Sequence, residues 1–169
     1  MKKVAHSILA ALLASTALAC RTPSEEARLK DFVKETVALA EARDLPGVMA
    51  RLADDYTDFE GRDKPATEAL VRDYFRRGGI VIHLLAARVE ALEPEGGASV
   101  EIEVLMSSGA AEVFRKLIRY AGDCYRFRFR LRRTPPSTWQ LVSAAWENVP
   151  PGELLPESLA VLKKLFPDL

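Results

Sequence analysis

The chain has 169 residues, with 24 basic side chains balanced by 24 acidic ones. That length suits one cored domain behind a short leader, and it is not obviously enough for two. A balanced charge leaves no basic excess of the kind that drives nucleic-acid binding.

Taken from its start, the chain places Lys2 and Lys3 before a short apolar run from Ile8 to Leu13, and Ala17-Leu18-Ala19 then leads to Cys20. A basic start, a short apolar run and small residues before a cut form a secretory signal over residues 1–19. The run is too short to span a bilayer, which takes about 20 apolar residues. Read as a general signal, Ala17 and Ala19 make an A-x-A site and the protein is secreted. The stretch also resembles the lipobox of bacterial lipoproteins, which implies lipid on Cys20, a tether over residues 20–24 and a membrane-anchored location facing the periplasm. Arg21 stands where enteric lipoproteins kept in the inner membrane carry Asp, so the expected destination is the outer membrane. Two or more acyl chains give stable anchoring where a single chain does not.

Loss of the signal removes Lys2, Lys3 and His6. The mature charge is then about −2, and His83 is left as the sole imidazole, which excludes a multi-histidine metal site. Lipidation would consume the Cys20 thiol, leaving Cys124 as a small buried apolar residue. Plain secretion would permit a Cys20–Cys124 bridge.

Thr22, Pro23 and Glu25 predict a capped helix start, and Leu29, Phe32, Val33, Thr36, Val37 and Ala40 then recur at three- and four-residue steps. Asp44 predicts the cap of a short second helix running through Leu52. The acid-rich stretch Asp54 to Gly61 follows as a loop, in which Asp54, Asp55 and Asp58 cap or solvate turns. A third helix is expected from Pro65 to Arg77, with Ala69, Leu70, Tyr74 and Val71 inward and Gly78-Gly79 as its stop.

The period then changes to alternation. Ile80–Leu92 and Ala98–Met106 form a hairpin around Glu93-Pro94-Glu95-Gly96-Gly97, Ala110–Ala121 reads as a short helix, and Tyr125–Arg132 and Trp139–Glu147 are further strands. The expected product is a curved antiparallel sheet of about four strands. Arg126, Arg128, Arg130 and Arg132 share one face, which Glu101 and Glu103 on the preceding strand can meet. Tyr125, Phe127, Phe129 and Leu131 must then face the helices. Pro150, Pro151, Gly152 and Pro156 punctuate the tail over residues 150–169, where Leu159, Leu162, Leu165 and Phe166 predict a short C-terminal helix.

Three local stretches within residues 25–149 carry a family likeness: Ala42-Arg43-Asp44 at the end of the first helix, Leu52-Ala53-Asp54-Asp55-Tyr56 after it, and the closing Trp139-Gln140-Leu141-Val142. With the order helices, then sheet, they resemble nuclear transport factor 2-like domains, which are α+β. The resemblance implies N-terminal helices wrapped by the sheet into a cone whose open end is the usual site. The family holds ketosteroid isomerase-like and polyketide cyclase-like enzymes, dehydratases and hydrolases beside members that only bind or assemble, so fold alone does not assign chemistry.

Asp55, Tyr56, Asp58 and Tyr125 supply the residue types of acid–base work, but no spacing among them forms a catalytic signature. Val81, His83 and Leu85 are expected inward, because Arg88 and Glu90 have the opposite parity. Tyr56, Phe59, His83 and Trp146 are therefore expected to line a small ligand site, with His83 as its polar handle and binding without turnover. No cofactor is expected. The expected partners are the membrane through the N-terminal lipid, a small hydrophobic ligand and, as relatives allow, a second copy of the chain, with no nucleic acid. The alternatives are a secreted cone-fold enzyme acting on a small hydrophobic molecule and a protein-interaction module using the outer sheet face.

Overall fold

The computed structural model describes residues 23–77, 80–108, 122–135 and 138–167. Cys20 and the helix expected over Ala110–Ala121 lie outside them.

Helix α1, Glu25–Glu41, is capped by Ser24, whose hydroxyl accepts from the Ala27 N–H at 3.1 Å, and so begins later than the Thr22 cap predicts. Its stripe buries Leu29, Phe32 and Val33. After it the chain turns through Arg43, which sits at φ 55, into α2, Leu45–Ala50. Asp44 caps α2 by accepting from the Gly47 N–H at 3.0 Å. A Cβ at Gly47 would meet the Asp44 carboxylate and Leu39 Cδ2, so a larger residue there would push the capping side chain aside.

The expected loop after α2 is instead a strand, β1, Leu52–Asp58. A bulge between Leu52 and Thr57 breaks its alternation, and its charged residues hide the rest. Leu52, Ala53, Tyr56 and Asp58 are buried, whereas Asp54 and Asp55 face water and pair with Lys64 and Arg132. Helix α3, Lys64–Arg77, crosses back with Thr67 buried and Val71 packed on the core. The inward face expected for it is corrected at two positions: Ala69 is exposed and Tyr74 is 52% exposed. Thr67 and Val71 are four apart and share the packed face; Tyr74 keeps that azimuth but stands near the C-terminal end of the helix, past its packed part.

Strands β2 (Ile80–Leu92), β3 (Gly97–Ser108), β4 (Gly122–Thr134) and β5 (Thr138–Asn148) form the expected antiparallel run, with Gly96 at φ 86 in the first turn. The sheet has five strands in the order β1-β5-β4-β3-β2 and is mixed, because β1 runs parallel to β5. The expected four-stranded antiparallel sheet is corrected by this added edge strand.

A bulge in β2 between Leu84 and Ala86 decides which side chains face the helices. Before it, Ile82 and Leu84 lie opposite Met106 and Val104 on the inner face; after it, Ala87 and Val89 do so opposite Ile102 and Val100. One extra residue lets His83 and Leu85 share the outer face with Arg88 and Glu90 despite their opposite parity. The main core on the inner face joins Leu29, Phe32, Val33, Met49 and Tyr56 to Val100, Ile102, Val104, Leu131, Trp139 and Leu141.

A second core lies on the outer face. After a 3₁₀ turn, Pro151–Glu153, helix α4, Pro156–Leu165, returns across β2 and β3. It buries Leu162 with Leu85, Leu105, Cys124, Val149 and Leu154. Full burial of a leucine stabilises by about 1.5–3 kcal/mol. Glu103 is sealed beneath this segment with 0% exposure; it accepts from Arg126 Nε and Nη2 at 3.0 and 2.6 Å and from the Leu155 N–H at 2.9 Å. Arg126 also donates to the Glu153 carbonyl at 2.9 Å, and Arg88 holds Glu157 at 2.7 Å. Among the described residues no helix is long and apolar enough to cross a membrane.

Candidate functional site

Alternation in β4 delivers Tyr125, Phe127 and Phe129 to the inner face, each only partly buried against the main core. Trp146 on β5 lies directly opposite Phe127. Phe59 follows β1, where its N–H donates to the Ala144 carbonyl at 3.0 Å. The rings form one strip: centroids are 6.2 Å apart for Tyr125–Phe127, 5.7 Å for Phe127–Phe129, 6.0 Å for Phe127–Trp146 and 4.7 Å for Phe59–Trp146. The last pair meets edge to face at 85°. Phe59 remains 54% exposed, so the strip ends in an apolar ring that is both fixed and open to solvent.

Arg62 closes this end. Its guanidinium lies over the Trp146 ring at 5.2 Å, and its Nε donates to Asp58 Oδ2 at 2.7 Å. Asp58 Oδ1 accepts the N–H groups of Glu60 and Arg62, each at 2.9 Å. Burial pushes the Asp58 carboxyl up, but the Arg62 N–H, the Arg62 side chain and the Glu60 N–H outweigh it and hold Asp58 below the usual carboxylate range. A carboxylate so engaged is a turn clamp, as its acid-rich surroundings suggest, and it is poorly disposed to take a proton from substrate.

Of the four residues expected in the site, Phe59 and Trp146 touch. Tyr56 is close by in sequence but 4% exposed within the main core, and burial followed by the Asp58 charge raises its hydroxyl to about 12. It supports the site from behind. The inward placement of His83, with Val81 and Leu85, is corrected by the β2 bulge: His83 lies opposite Leu105, which belongs to the outer core. The sequence reading omitted Arg62, whose signal was an arginine four residues after a buried aspartate. Cys124 is buried, and burial raises its thiol, so it is a packing residue.

The outer face carries the arginine ladder. Glu101 lies opposite Arg128 and Glu103 opposite Arg126, as the alternation requires. A depression of about 530 Å³ lies on this face, lined in part by Thr57, Glu90, Ser99, Arg128, Arg130 and Ser143; His83 is not among its walls. Among the described residues no group of three or more His, Cys, Asp or Glu is placed to hold a metal ion.

With this geometry in view, the fold is that of nuclear transport factor 2-like proteins. An NTF2-like protein of unknown function from Pseudomonas putida superposes with a TM-score of 0.59 at 21% identity, over 72% of this chain and 84% of that one. A ketosteroid isomerase-like protein from Erwinia carotovora atroseptica gives 0.55 at 15% identity, over 76% and 99%. An NTF2-like protein of unknown function in nutrient uptake from Rhodospirillum rubrum gives 0.53 at 23% identity, over 71% and 98%. These likenesses define the fold and no activity. No protein-family model matches the chain, and no curated protein matches its sequence.

Proposed function

We propose that the protein is an envelope lipoprotein, anchored through lipid on Cys20, whose domain binds a small apolar ligand on the inner-face aromatic strip without turning it over. The observation that carries the binding reading is the Phe59–Trp146 pair, an exposed ring held edge-on at 4.7 Å against a second ring. Exposed aromatics in fixed register bind apolar molecules at small entropic cost, since little side-chain freedom remains to be lost. Turnover is disfavoured because the buried carboxylate at the end of the strip, Asp58, already accepts three donors.

The test uses N-phenyl-1-naphthylamine, an uncharged dye that brightens in apolar surroundings. The wild-type protein should bind it saturably, and Trp146→Ala and Phe59→Ala should each weaken binding by about tenfold or more, the loss expected for a well-packed aromatic contact. Equal binding by wild type and both variants would remove the strip from the account. The anchor is tested separately: Cys20→Ser should move the protein out of the membrane fraction, and an unmodified N-terminus in the wild type by mass spectrometry would contradict lipidation.

A further inference from the structure

The arginine ladder on β4 has one rung unlike the rest. Arg126 pairs with Glu103 at 2.6 Å, Arg128 with Glu101 and Glu147 at 3.1 and 2.9 Å, and Arg132 with Asp55 at 2.7 Å. Arg130 lies opposite Ser99 on β3 and Ser143 on β5, and Ser143 in turn lies opposite Thr57 on β1. A row of three hydroxyls thus replaces the carboxylates that serve its neighbours. Among the described residues Arg130 forms no ion pair within 4 Å, and neither does Glu90, which sits on β2 in the irregularity between Val89 and Ala91, the residue opposite Ser99. Both are exposed, and both line the depression of about 530 Å³.

We infer that this depression is a binding site for a small zwitterion of the amino-acid class, with the ligand's carboxylate on Arg130 and its ammonium on Glu90. A guanidinium flanked by hydroxyls presents several donors to a carboxylate, and the serine and threonine hydroxyls rotate to complete it. Glu90 and Arg130 stand two strands apart, about 10 Å between backbones at the usual strand spacing, which their side chains narrow to the span of a small molecule. The other charged walls are already engaged: Arg128 and Glu101 pair at 3.1 Å, and Asp58 is held by Arg62 at 2.7 Å. That leaves one unmatched cation, Arg130, and one unmatched anion, Glu90, on the walls. That balance selects against inorganic phosphate and against a simple amine, each of which would leave one wall charge unmatched. Phe59 and Phe129 of the aromatic strip also border this depression, but the proposed contacts are made by Arg130 and Glu90, which the strip reading does not use.

Calorimetric titration of the full mature chain tests this with 4-aminobutyrate and 5-aminopentanoate as zwitterions, and with acetate, butylamine and inorganic phosphate as singly functional controls. A zwitterion should bind saturably and at least about tenfold more tightly than any control. Arg130→Gln should weaken it by about tenfold, the scale of one charge-assisted hydrogen bond, and Glu90→Gln should weaken the zwitterion while leaving acetate unchanged. Both positions are exposed, so an unchanged melting temperature is expected and separates loss of binding from loss of fold. Phosphate or acetate binding as tightly as either zwitterion would overturn the proposal, as would zwitterion binding that Arg130→Gln leaves intact, or no saturable binding at all.

Discussion

Glu103–Arg126 and Glu101–Arg128 are neighbouring rungs of one cross-strand ladder, two residues apart on each strand, and they live in different media. Glu103 is fully buried beneath the C-terminal segment and takes a backbone N–H from it, whereas the Arg128 side chain is 58% exposed and shared with Glu147. The same residue pair in the same register therefore does two jobs. Under α4 the rung fastens one layer of the molecule to another; two residues along, it keeps an open sheet face soluble and in register. What separates them is the chain that returns over one and not the other.

The largest effect should come from breaking the covered rung. Glu103→Ala leaves Arg126 beneath the tail without its principal partner, which should cost about 3–5 kcal/mol in chemical denaturation. A cost near that of a surface pair would mean that the tail does not seal the rung. Next, Leu162→Ala removes the α4 side chain that closes the outer core and should cost about 2–5 kcal/mol. It should also loosen the clamp, so the amide of Leu155 should exchange faster with solvent than that of Val100, which lies in the main core.

Asp58→Asn should have an intermediate effect, about 1.5–3 kcal/mol at neutral pH, because charge-assisted hydrogen bonds are lost. Its pH dependence has a fixed sign. The folded Asp58 pKa lies below the ordinary value of 3.8. The carboxylate's contribution is therefore fully present above about pH 4 and fades as the pH falls through the lowered folded value. Wild type and variant should converge in stability in strong acid, and a gap independent of pH would contradict the clamp. The smallest effect belongs to the open rung: Arg128→Ala should change stability by about 0.5 kcal/mol, and added salt should shrink even that.

Much of the architecture follows from periodicity. Alternation in Tyr125–Arg132 assigned the aromatic and arginine faces of β4, and the helical stripe of α1 named Leu29, Phe32 and Val33. Two things escaped for physical reasons. β1 is an edge strand with a bulge and outward acids, so its apolar signal is confined to Leu52, Ala53 and Tyr56. In β2 a one-residue bulge reverses parity, and a count of two from Arg88 then places His83 on the wrong side. Phe59 and Trp146 were legible as aromatics at the ends of β1 and β5, but Arg62 over the Trp146 ring was not, since such stacking depends on how a turn closes. The burial of Glu103 was likewise hidden, because nothing in its own strand records that α4 returns across it.

The inner-face strip is the functional centre of the account, and one tryptophan can report on it. Trp139 is buried in the main core and Trp146 lies in the strip, so Trp139→Phe leaves Trp146 as the single indole. Titrating that variant with N-phenyl-1-naphthylamine should quench Trp146 emission saturably, by energy transfer to the bound dye, with the same midpoint as the rise in dye fluorescence. Dye binding that leaves Trp146 emission unchanged would place the ligand elsewhere on the molecule and contradict the assignment of this site.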